Sequence, residues 1–441
     1  MKTQLAKVAR VGRRTEKAGA RKRRRSGRGG QDVARVVCMD LVPDELAEVI
    51  QQESSIGASL KFRADAAAAI AREHADDVDR ESRFPAEAIA AAREQRLLGI
   101  LVPTELGGEG ASVSDVTDIC YVLGRSCAST GMIFAMHQIM VAVLVRHALE
   151  SAWHKQLLRR LCAEQMLLAS STTDGQGGGD LRKSSCAIEQ NGSQVTLTKT
   201  ATVFSYGLEG DAVLTTARRS PDAAPSDQVL AAFLKKDYQL EPLMKWDALG
   251  MRGTSSAGFT LNARGKAEQI LAQAYQRIQA HTVMPVAHLT WGAVWAGVAA
   301  DAVERARASV HAVARRSAGQ LPPGAIHLSR ATMSLRSLCS QLASAMRRFE
   351  NAAGQVEEIE SFDFQHVMNL LKVSASELSI ATVMSAMQAA GLAGYRNDGE
   401  FSLSRHIRDV LSSSIMINND RILASATASS FLIDVPESLR N

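Results

Sequence analysis

The sequence predicts a mainly α-helical protein with a small β domain in the middle of the chain. Residues 39–162 and 270–441 are rich in Ala and Leu and keep helical periodicity over long windows. Between them, residues 166–263 show runs of alternating β-branched residues that Gly, Asn and Asp interrupt in the manner of turns. The order of the folded segments is therefore helical, β and helical.

Length and composition agree with a large folded core. The 441 residues are 46% hydrophobic, which favours two or three domains. We predict a basic, disordered tail at 1–55, a helical domain at 56–165, an antiparallel β domain at 166–265 and a four-helix bundle at 266–441.

The tail carries most of the positive charge. Residues 1–30 hold twelve Lys or Arg and one Glu, so a formal net charge of +5 leaves about −6 for the rest of the chain. Its block RKRRR at 21–25 is of a kind that stays disordered and can bind polyanions. Three interpretations remain open: translation from an upstream start codon, with the true start near Met39, an arm for nucleic acid or an anionic surface, and a targeting peptide. We favour the first and do not expect nucleic-acid binding.

The cysteines and the apolar runs indicate the compartment. The six cysteines form no C-x-x-C pair and have no His at metal-ligand spacing, so we expect buried free thiols and no metal site. We expect no apolar run to reach the roughly 20 residues that a membrane span needs, and no signal peptide at the start of the chain. These features predict a cytoplasmic protein that does not enter a membrane.

Local signals place the helices and strands. We expect helices at 65–75, at 85–98 with Pro85 in the first turn, at 113–123 with Ser112 and Asp115 as caps, and at 130–149. Strands are expected at 194–198 and 212–216. Longer helices are expected at 291–314, 328–353 and 367–388.

Three short motifs, in this domain order, resemble those of one enzyme family. The first is LLGILVPTELGG at 97–108, the second is ASTG at 128–131 followed by His137, and the third is LGMRGTSS at 249–256. They resemble the motifs G-L-x-G-I-x-x-P-E-E-Y-G-G, A-S-T-G…H and M-G-x-R-G-S-x-T of the acyl-CoA dehydrogenase family. The resemblance covers roughly residues 60–430 and implies an FAD-dependent flavoenzyme. In the third motif Arg252 would shape the turn beside the cofactor, as scaffold more than as catalyst.

The C-terminal signature of that family is present without its catalytic residue. The family reads R-D-x(7)-E-G-T-x-x-I, and Arg408, Asp409 and Ile422 match its anchors. Ile417 stands where the family has its catalytic glutamate, and Asn419 stands where it has a threonine beside the flavin. The resemblance thus implies a flavin site that includes Asn419 and lacks the family's base.

A glycine-rich loop takes the place of the family's flavin-facing loop. The segment STTDGQGGGD at 171–180 resembles A-x-T-E-P-x-A-G-S-D, with Thr173, Gly178 and Asp180 matching. Gly179 replaces a serine that helps to hold the thioester arm of the substrate, and Asp174 replaces a glutamate. Glycines let backbone N–H groups approach a planar cofactor, and a Thr hydroxyl can donate to it. We expect cofactor contacts from Thr173, Gly178, Gly179 and Asp180; a flexible surface loop is the alternative.

Two further segments complete the predicted cofactor site. VFSY at 203–206 aligns with W-I-T-N, so Ser205 would contact the flavin while Phe204 and Tyr206 offer an apolar or stacking surface. A strand with one core aromatic and an exposed Tyr is an equal alternative. QAAGLAGY at 388–395 resembles Q-x-x-G-G-x-G-Y, a loop that meets the FAD diphosphate of a neighbouring subunit. The resemblance implies a homodimer or homotetramer whose diphosphate contacts are Gln388, Gly391, Gly394 and Arg315; a helix end and a surface arginine are the alternative.

The missing base leaves the reaction open. His288 stands at the position of a substrate-contacting Arg in the family, and we name it as the candidate catalytic residue, with Asp174 and His406 as other possible bases. Loss of a positioned base typically lowers a rate by about 10²- to 10⁴-fold. The favoured function is oxidation of the CH–CH group of an acyl thioester of CoA or a carrier protein, with an acceptor flavoprotein or O2 taking the electrons. The alternatives are a flavin monooxygenase that uses reduced flavin and O2, and a catalytically silent binding subunit.

Overall fold

The computed structural model describes residues 44–173 and 183–435, with side chains from Gly57 onward. The first 43 residues, which make up most of the predicted tail, lie outside this part of the chain. The described residues from Gly57 onward form one compact unit, and residues 44–56 belong to another.

The first folded segment is helical, as predicted. Its helices are α1 (Asp44–Glu81), α2 (Ala86–Glu94), α3 (Val113–Gly124), α4 (Ala128–His147) and α5 (Ala152–Glu164). The predicted cap of α3 is confirmed, because Ser112 and Asp115 form a capping box, in which the Ser112 hydroxyl accepts from the Asp115 N–H at 3.0 Å. Two details differ. Pro85 is the N-cap of α2 rather than a first-turn residue, and α2 ends at Glu94 because Arg96 has a φ of 52°.

The middle segment forms two small sheets. Its strands are β1 (Leu168–Ser171), β2 (Glu189–Asn191), β3 (Gln194–Ala201), β4 (Ala212–Arg218), β5 (Gln228–Leu234), β6 (Tyr238–Met244) and β7 (Gly258–Lys266). One sheet has the order β1-β4-β5 and the other β2-β3-β7-β6. All described pairs are antiparallel except β1 with β4, which run parallel because the chain passes through the second sheet before it returns as β4.

The last segment is a helix bundle. Its helices are α6 (Tyr275–Ile278), α7 (Met284–Arg316), α8 (Ile326–Asn351), α9 (Val356–Glu360), α10 (Phe362–Ala390), α11 (Leu392–Tyr395), α12 (Ser404–Ile415) and α13 (Asn419–Ser430). Helix α7 packs against α3, α4, α8 and α10, and every residue of it from Met284 to Ala302 is buried. Helices α12 and α13 pack on α10, so the turn between them lies against the core of the bundle.

Three helices are more apolar than the sequence prediction allowed. By length and composition, α4, the helical stretch Tyr275–Arg316 and α10 could each cross a membrane, so the expectation that no segment reaches that length was wrong. In the first two, 89% of the most apolar window is buried within the protein, and in α10 the share is 50%. A helix that is apolar all round is what the centre of a large core requires.

The described cysteines are not all buried, contrary to the expectation. Cys120, Cys127 and Cys162 are buried, whereas Cys186 and Cys339 are half-buried. Among the described residues no group of three His, Cys, Asp or Glu could hold a metal ion.

Candidate active site

A chain of hydrogen bonds brings three of the sequence motifs together. The Ser205 hydroxyl lies 2.7 Å from that of Ser256, which lies 2.7 Å from that of Thr254. The Thr254 hydroxyl donates to the Met251 carbonyl at 2.8 Å, and the Met251 N–H donates to the Asp409 carboxylate at 2.6 Å. Burial raises the pKa of Asp409 to about 6. The segments 203–206, 249–256 and 404–409, distant in sequence, thus form one connected wall.

Two further contacts explain why this wall needs its motif residues. A Cβ on Gly250 would lie 2.0 Å from the Arg408 carbonyl oxygen, so only glycine allows the turn to reach α12. Arg252 donates to the Asp79 carbonyl at 2.7 Å and to the Ala248 carbonyl at 3.0 Å. Its described contacts join the turn to α1. Its position beside a cofactor stays a prediction.

The flavin-facing loop is described only at its first residues. Thr173 is half-buried just after β1, whereas Asp174, Gly178, Gly179 and Asp180 lie outside the described residues. Buried Lys199 fixes the start of the loop, because its ammonium donates to the carbonyls of Ser171 at 2.8 Å and Thr216 at 3.0 Å. The buried Ser171 hydroxyl has no hydrogen-bond partner within the described chain.

Phe204 and Tyr206 are not where the predicted stacking surface requires them. Both side chains are 0% exposed. Tyr206 donates its hydroxyl to the Leu168 carbonyl at 3.0 Å, and Phe204 meets Phe259 edge to face at 6.2 Å between ring centres. Burial raises the pKa of Tyr206 far above its usual value. Neither ring has a face open to a cofactor, so both act as core residues and the exposed Tyr of the alternative is absent too. Ser205 is half-buried, which leaves it accessible.

The turn that carries Ile417 has an unusual backbone. Ile417 has a φ of 54° and Asn418 a φ of 32°, although neither is glycine. A β-branched residue in the left-handed region is strained, and such strain is found most often at functional sites. The Asn418 side chain caps α13 by accepting from the Asp420 N–H at 2.9 Å. The position of the family's glutamate is thus an apolar side chain on a constrained turn.

Asn419, the first residue after this turn, meets a lysine that sequence reasoning missed. Its carboxamide oxygen accepts from the Lys372 ammonium at 2.7 Å, and its NH2 group donates to the Ser376 hydroxyl at 3.3 Å. Lys372 is 0% exposed. Residues 367–388 contain only two charged residues, Lys372 and Glu377, and this scarcity of charge was the sequence signal that could have found Lys372.

His288 lies in the same bundle and is a weak base. It is 3% exposed, and its Nδ1 lies 2.8 Å from the Met368 carbonyl oxygen, to which it donates. Burial lowers the pKa of His288 to about 4, so the ring is neutral at pH 7. The indole N–H groups of Trp291 and Trp295, on the same face of α7, are buried without a partner among the described residues. Trp295 is 0% exposed and Trp291 is 9% exposed, so both indoles belong to the core of the bundle.

His406, the other candidate base, belongs to an ionic cluster. Buried Asp301 accepts hydrogen bonds at 2.8 Å from His406, Arg72 and Arg305. Burial alone would raise the pKa of Asp301, but its hydrogen bonds with these partners and their charges hold it well below its usual value. Burial lowers the pKa of His406 to about 4. The cluster joins α7 to α12 and has a structural role.

The predicted diphosphate contacts lie at one end of the bundle. Arg315 and Gln388 are exposed, as is Gly391, whose φ of 63° ends α10. Gly394 is buried, and a Cβ there would meet the Ala390 side chain at 2.7 Å. The exposed members are free, within one protomer, to meet a phosphate-bearing group or a second subunit.

Three of the predicted cofactor contacts have the chemistry that a flavin ring requires. Thr173, Ser205 and Asn419 present hydroxyl and carboxamide groups at half-buried positions, which suits the polar edge of a planar ring.

Sequence models of known families match both helical segments. The acyl-CoA dehydrogenase N-terminal domain matches residues 60–165, and the acyl-CoA dehydrogenase C-terminal domain matches residues 286–415. The chain belongs to the acyl-CoA dehydrogenase family. Family membership and the relatives together support a flavin oxidoreductase of this fold.

Individual relatives of this acyl-CoA dehydrogenase family member are distant. The probable acyl-CoA dehydrogenase fadE25 of Mycobacterium leprae is 24% identical over 341 residues, which are 76% of this chain and 85% of the relative. FMN-bound TdsC of Paenibacillus sp. A11-2 has a TM-score of 0.74 at 18% identity, with 86% of this chain and 98% of that chain covered. Methanesulfinate monooxygenase MsuC of Pseudomonas fluorescens has a TM-score of 0.73 at 16% identity, with coverages of 85% and 97%. At such identities the solved structures show the fold alone.

Proposed function

We propose that this protein is a flavin-dependent monooxygenase of the acyl-CoA dehydrogenase fold, which uses reduced flavin and O2. The observation that carries the proposal is the apolar Ile417 at the position of the catalytic glutamate. The two described candidate bases, His288 and His406, have pKa values lowered to about 4. The Asp409 carboxylate is buried and accepts from the Met251 N–H, and the Lys372 ammonium is already hydrogen-bonded to the protein. Abstraction of a Cα proton needs a base whose pKa lies near the working pH.

The chain's own residues suit a reaction in which oxygen transfer is supplied by the cofactor. Reduced flavin together with O2 supplies that chemistry when it is bound. Thr173, Ser205 and Asn419 would then hold and orient the ring through hydrogen bonds. Ile417 and the indoles of α7 would keep water from it, since a dry pocket protects reactive groups from side reactions.

Relatives support this choice. TdsC is described as a dibenzothiophene monooxygenase, and MsuC as a methanesulfinate monooxygenase. FAD is the proposed cofactor because the family's diphosphate contacts have counterparts in Arg315, Gln388 and Gly391; FMN is the competing cofactor. We further propose a cytoplasmic homodimer or homotetramer in which these exposed residues meet the cofactor of a neighbouring subunit.

The test separates oxygenation from thioester oxidation. The purified protein would be given FAD or FMN, a flavin reductase and ¹⁸O2, with dibenzothiophene or methanesulfinate as probes, and products would be examined for ¹⁸O by mass spectrometry. In parallel, the oxidised protein would be mixed with butyryl-CoA without oxygen while flavin absorbance is recorded. We expect ¹⁸O in a product and no anaerobic bleaching. Bleaching by the thioester would refute the proposal.

A second candidate is oxidation of an acyl thioester of CoA or a carrier protein, with an acceptor flavoprotein or O2 taking the electrons. It is favoured by the relatives named as acyl-CoA dehydrogenases, such as fadE25, over 76% of this chain. The variant Ile417→Glu distinguishes the cases. If a base is all that is missing, this variant should be bleached by butyryl-CoA while the wild type is not.

A further inference from the structure

Lys372 is the most deeply buried charged group beside the Ile417 turn. Its ammonium donates to the Ser413 carbonyl at 2.8 Å and to the Asn419 carboxamide oxygen at 2.7 Å. The Trp295 ring lies beside the ammonium, with its centre 5.8 Å from Nζ. Both described hydrogen bonds of the ammonium go to groups of the protein. Lys372 therefore acts on other residues of the protein.

The bonds of Lys372 are part of a closed ring that joins three helices. The Asn419 NH2 group donates to the Ser376 hydroxyl at 3.3 Å, and that hydroxyl lies 2.9 Å from the Ser413 hydroxyl. Lys372 and Ser376 belong to α10, Ser413 to α12 and Asn419 to α13. Lys372 can only donate, so the Asn419 carboxamide oxygen must face the ammonium. The Asn419 side chain is therefore held in one orientation.

The hydrogen-bonded ring includes residues on both sides of the strained turn. Ser413 precedes Ile417 and Asn418, and Asn419 follows them, so the two residues with positive φ are held between fixed ends. A strained backbone persists only where its surroundings over-determine it. Removal of the ammonium would take one hydrogen bond from each end of the turn.

We propose that Lys372 is the positioning residue of the flavin site, whose ammonium fixes the Ile417–Asn418 turn and the orientation of the Asn419 side chain. This inference rests on the proposed flavin function for the role of Asn419. It extends that function by making cofactor binding depend on the charge of a residue that does not touch the cofactor.

Burial makes the hydrogen bonds of Lys372 depend on pH. It lowers the pKa of Lys372 to about 8, with no charged group among the causes. The titratable group that faces Lys372 is His288 on α7, which is neutral at pH 7; the contacts from α12 and α13 are the Ser413 carbonyl and the Asn419 carboxamide. As pH rises through about 8, the ammonium loses a proton and the ring loses its charge-assisted bonds.

The experiment measures FAD binding by fluorescence between pH 6.5 and 9.5 in four proteins. The wild type should lose affinity above about pH 8. Lys372→Met should bind about tenfold or more weakly at pH 7, with no further loss at high pH, because the charged donor is absent throughout. Asn419→Asp should move the loss to higher pH, because a carboxylate favours the charged lysine. Lys236→Met removes an exposed lysine and should behave as the wild type.

A second measurement keeps the inference separate from the proposed function. Hydrogen–deuterium exchange of residues 413–420, corrected for intrinsic rates and compared with buried residues 284–302, reports on the turn without any cofactor. Faster exchange at 413–420 in Lys372→Met at pH 7, and in the wild type above pH 8, would support the positioning role. Unchanged exchange, or an alkaline loss of affinity that Asn419→Asp does not shift, would overturn it. If the wild type binds neither FAD nor FMN, the proposed function fails, and the exchange data still decide the role of Lys372.

Discussion

Stability should depend on pH through His137, which joins the N-terminal helices to the first strand. The ring is 0% exposed, donates from Nε2 to the Leu98 carbonyl at 2.8 Å and accepts at Nδ1 from the Leu168 N–H at 2.9 Å. The contact with Leu168 requires the neutral ring, since a proton on Nδ1 would face the Leu168 N–H donor. Burial lowers the pKa of His137 to about 4.

The sign and size of the effect follow from this shift. An unfolded chain has a His pKa of about 6.5, so it binds the proton more readily between pH 6.5 and 4. The stabilisation is therefore complete above about pH 6.5 and is lost as pH falls toward 4. With these two pKa values, the loss between pH 7.5 and pH 5 is about 2 kcal/mol from this residue.

The variant His137→Gln tests the argument. It keeps a donor for the Leu98 carbonyl and leaves the Leu168 N–H unpartnered, so it should be less stable at pH 7.5 by about 1–3 kcal/mol. Its further loss on going to pH 5 should be smaller than that of the wild type by about 2 kcal/mol. Urea unfolding followed by tryptophan fluorescence at both pH values gives the two differences, with His311→Gln at an exposed position as control. Equal acid losses in wild type and His137→Gln would refute the reasoning.

Four further changes have defined outcomes. Asp301→Ala should lower the free energy of unfolding by about 3–5 kcal/mol in urea titrations, because three partners at 2.8 Å lose a buried carboxylate. Ile417→Gly should raise the free energy of unfolding by about 1 kcal/mol, since glycine adopts a φ of 54° without strain. A melting temperature below that of the wild type would contradict this. Gly250→Ala should give mostly insoluble protein, because its Cβ would lie 2.0 Å from the Arg408 carbonyl oxygen. Arg315→Ala should weaken FAD binding and leave FMN binding unchanged in fluorescence titrations, because FMN has no diphosphate; equal weakening would exclude the diphosphate role.

Short-range sequence patterns predicted the local structure most reliably. Ser112 and Asp115 predicted the start of α3 because a capping box acts within four residues. The end of α2 was missed because Arg96 adopts a left-handed backbone that its side chain does not announce. The burial of Phe204 and Tyr206 could not be read from VFSY either, since an aromatic residue beside a turn can face a cofactor or a core.

The sequence by itself determined the family, the order of the domains and the absence of the glutamate, because short motifs and helical periodicity are properties of neighbouring residues. Thr173, Ser205, Asn419, Arg315 and the 388–394 loop remain predictions as cofactor contacts, and the location in the cytoplasm remains a prediction as well.

Only the tertiary structure decided which groups surround Ile417, the residue at the position of the family's catalytic glutamate. It joined the Met251 turn to Asp409, made His288 a neutral buried imidazole, and placed the Lys372 ammonium under the Ile417 turn. These contacts link residues that are between 47 and 158 positions apart, or depend on burial by other helices. No local pattern contains them, because burial and hydrogen bonding across helices exist only once the chain has packed.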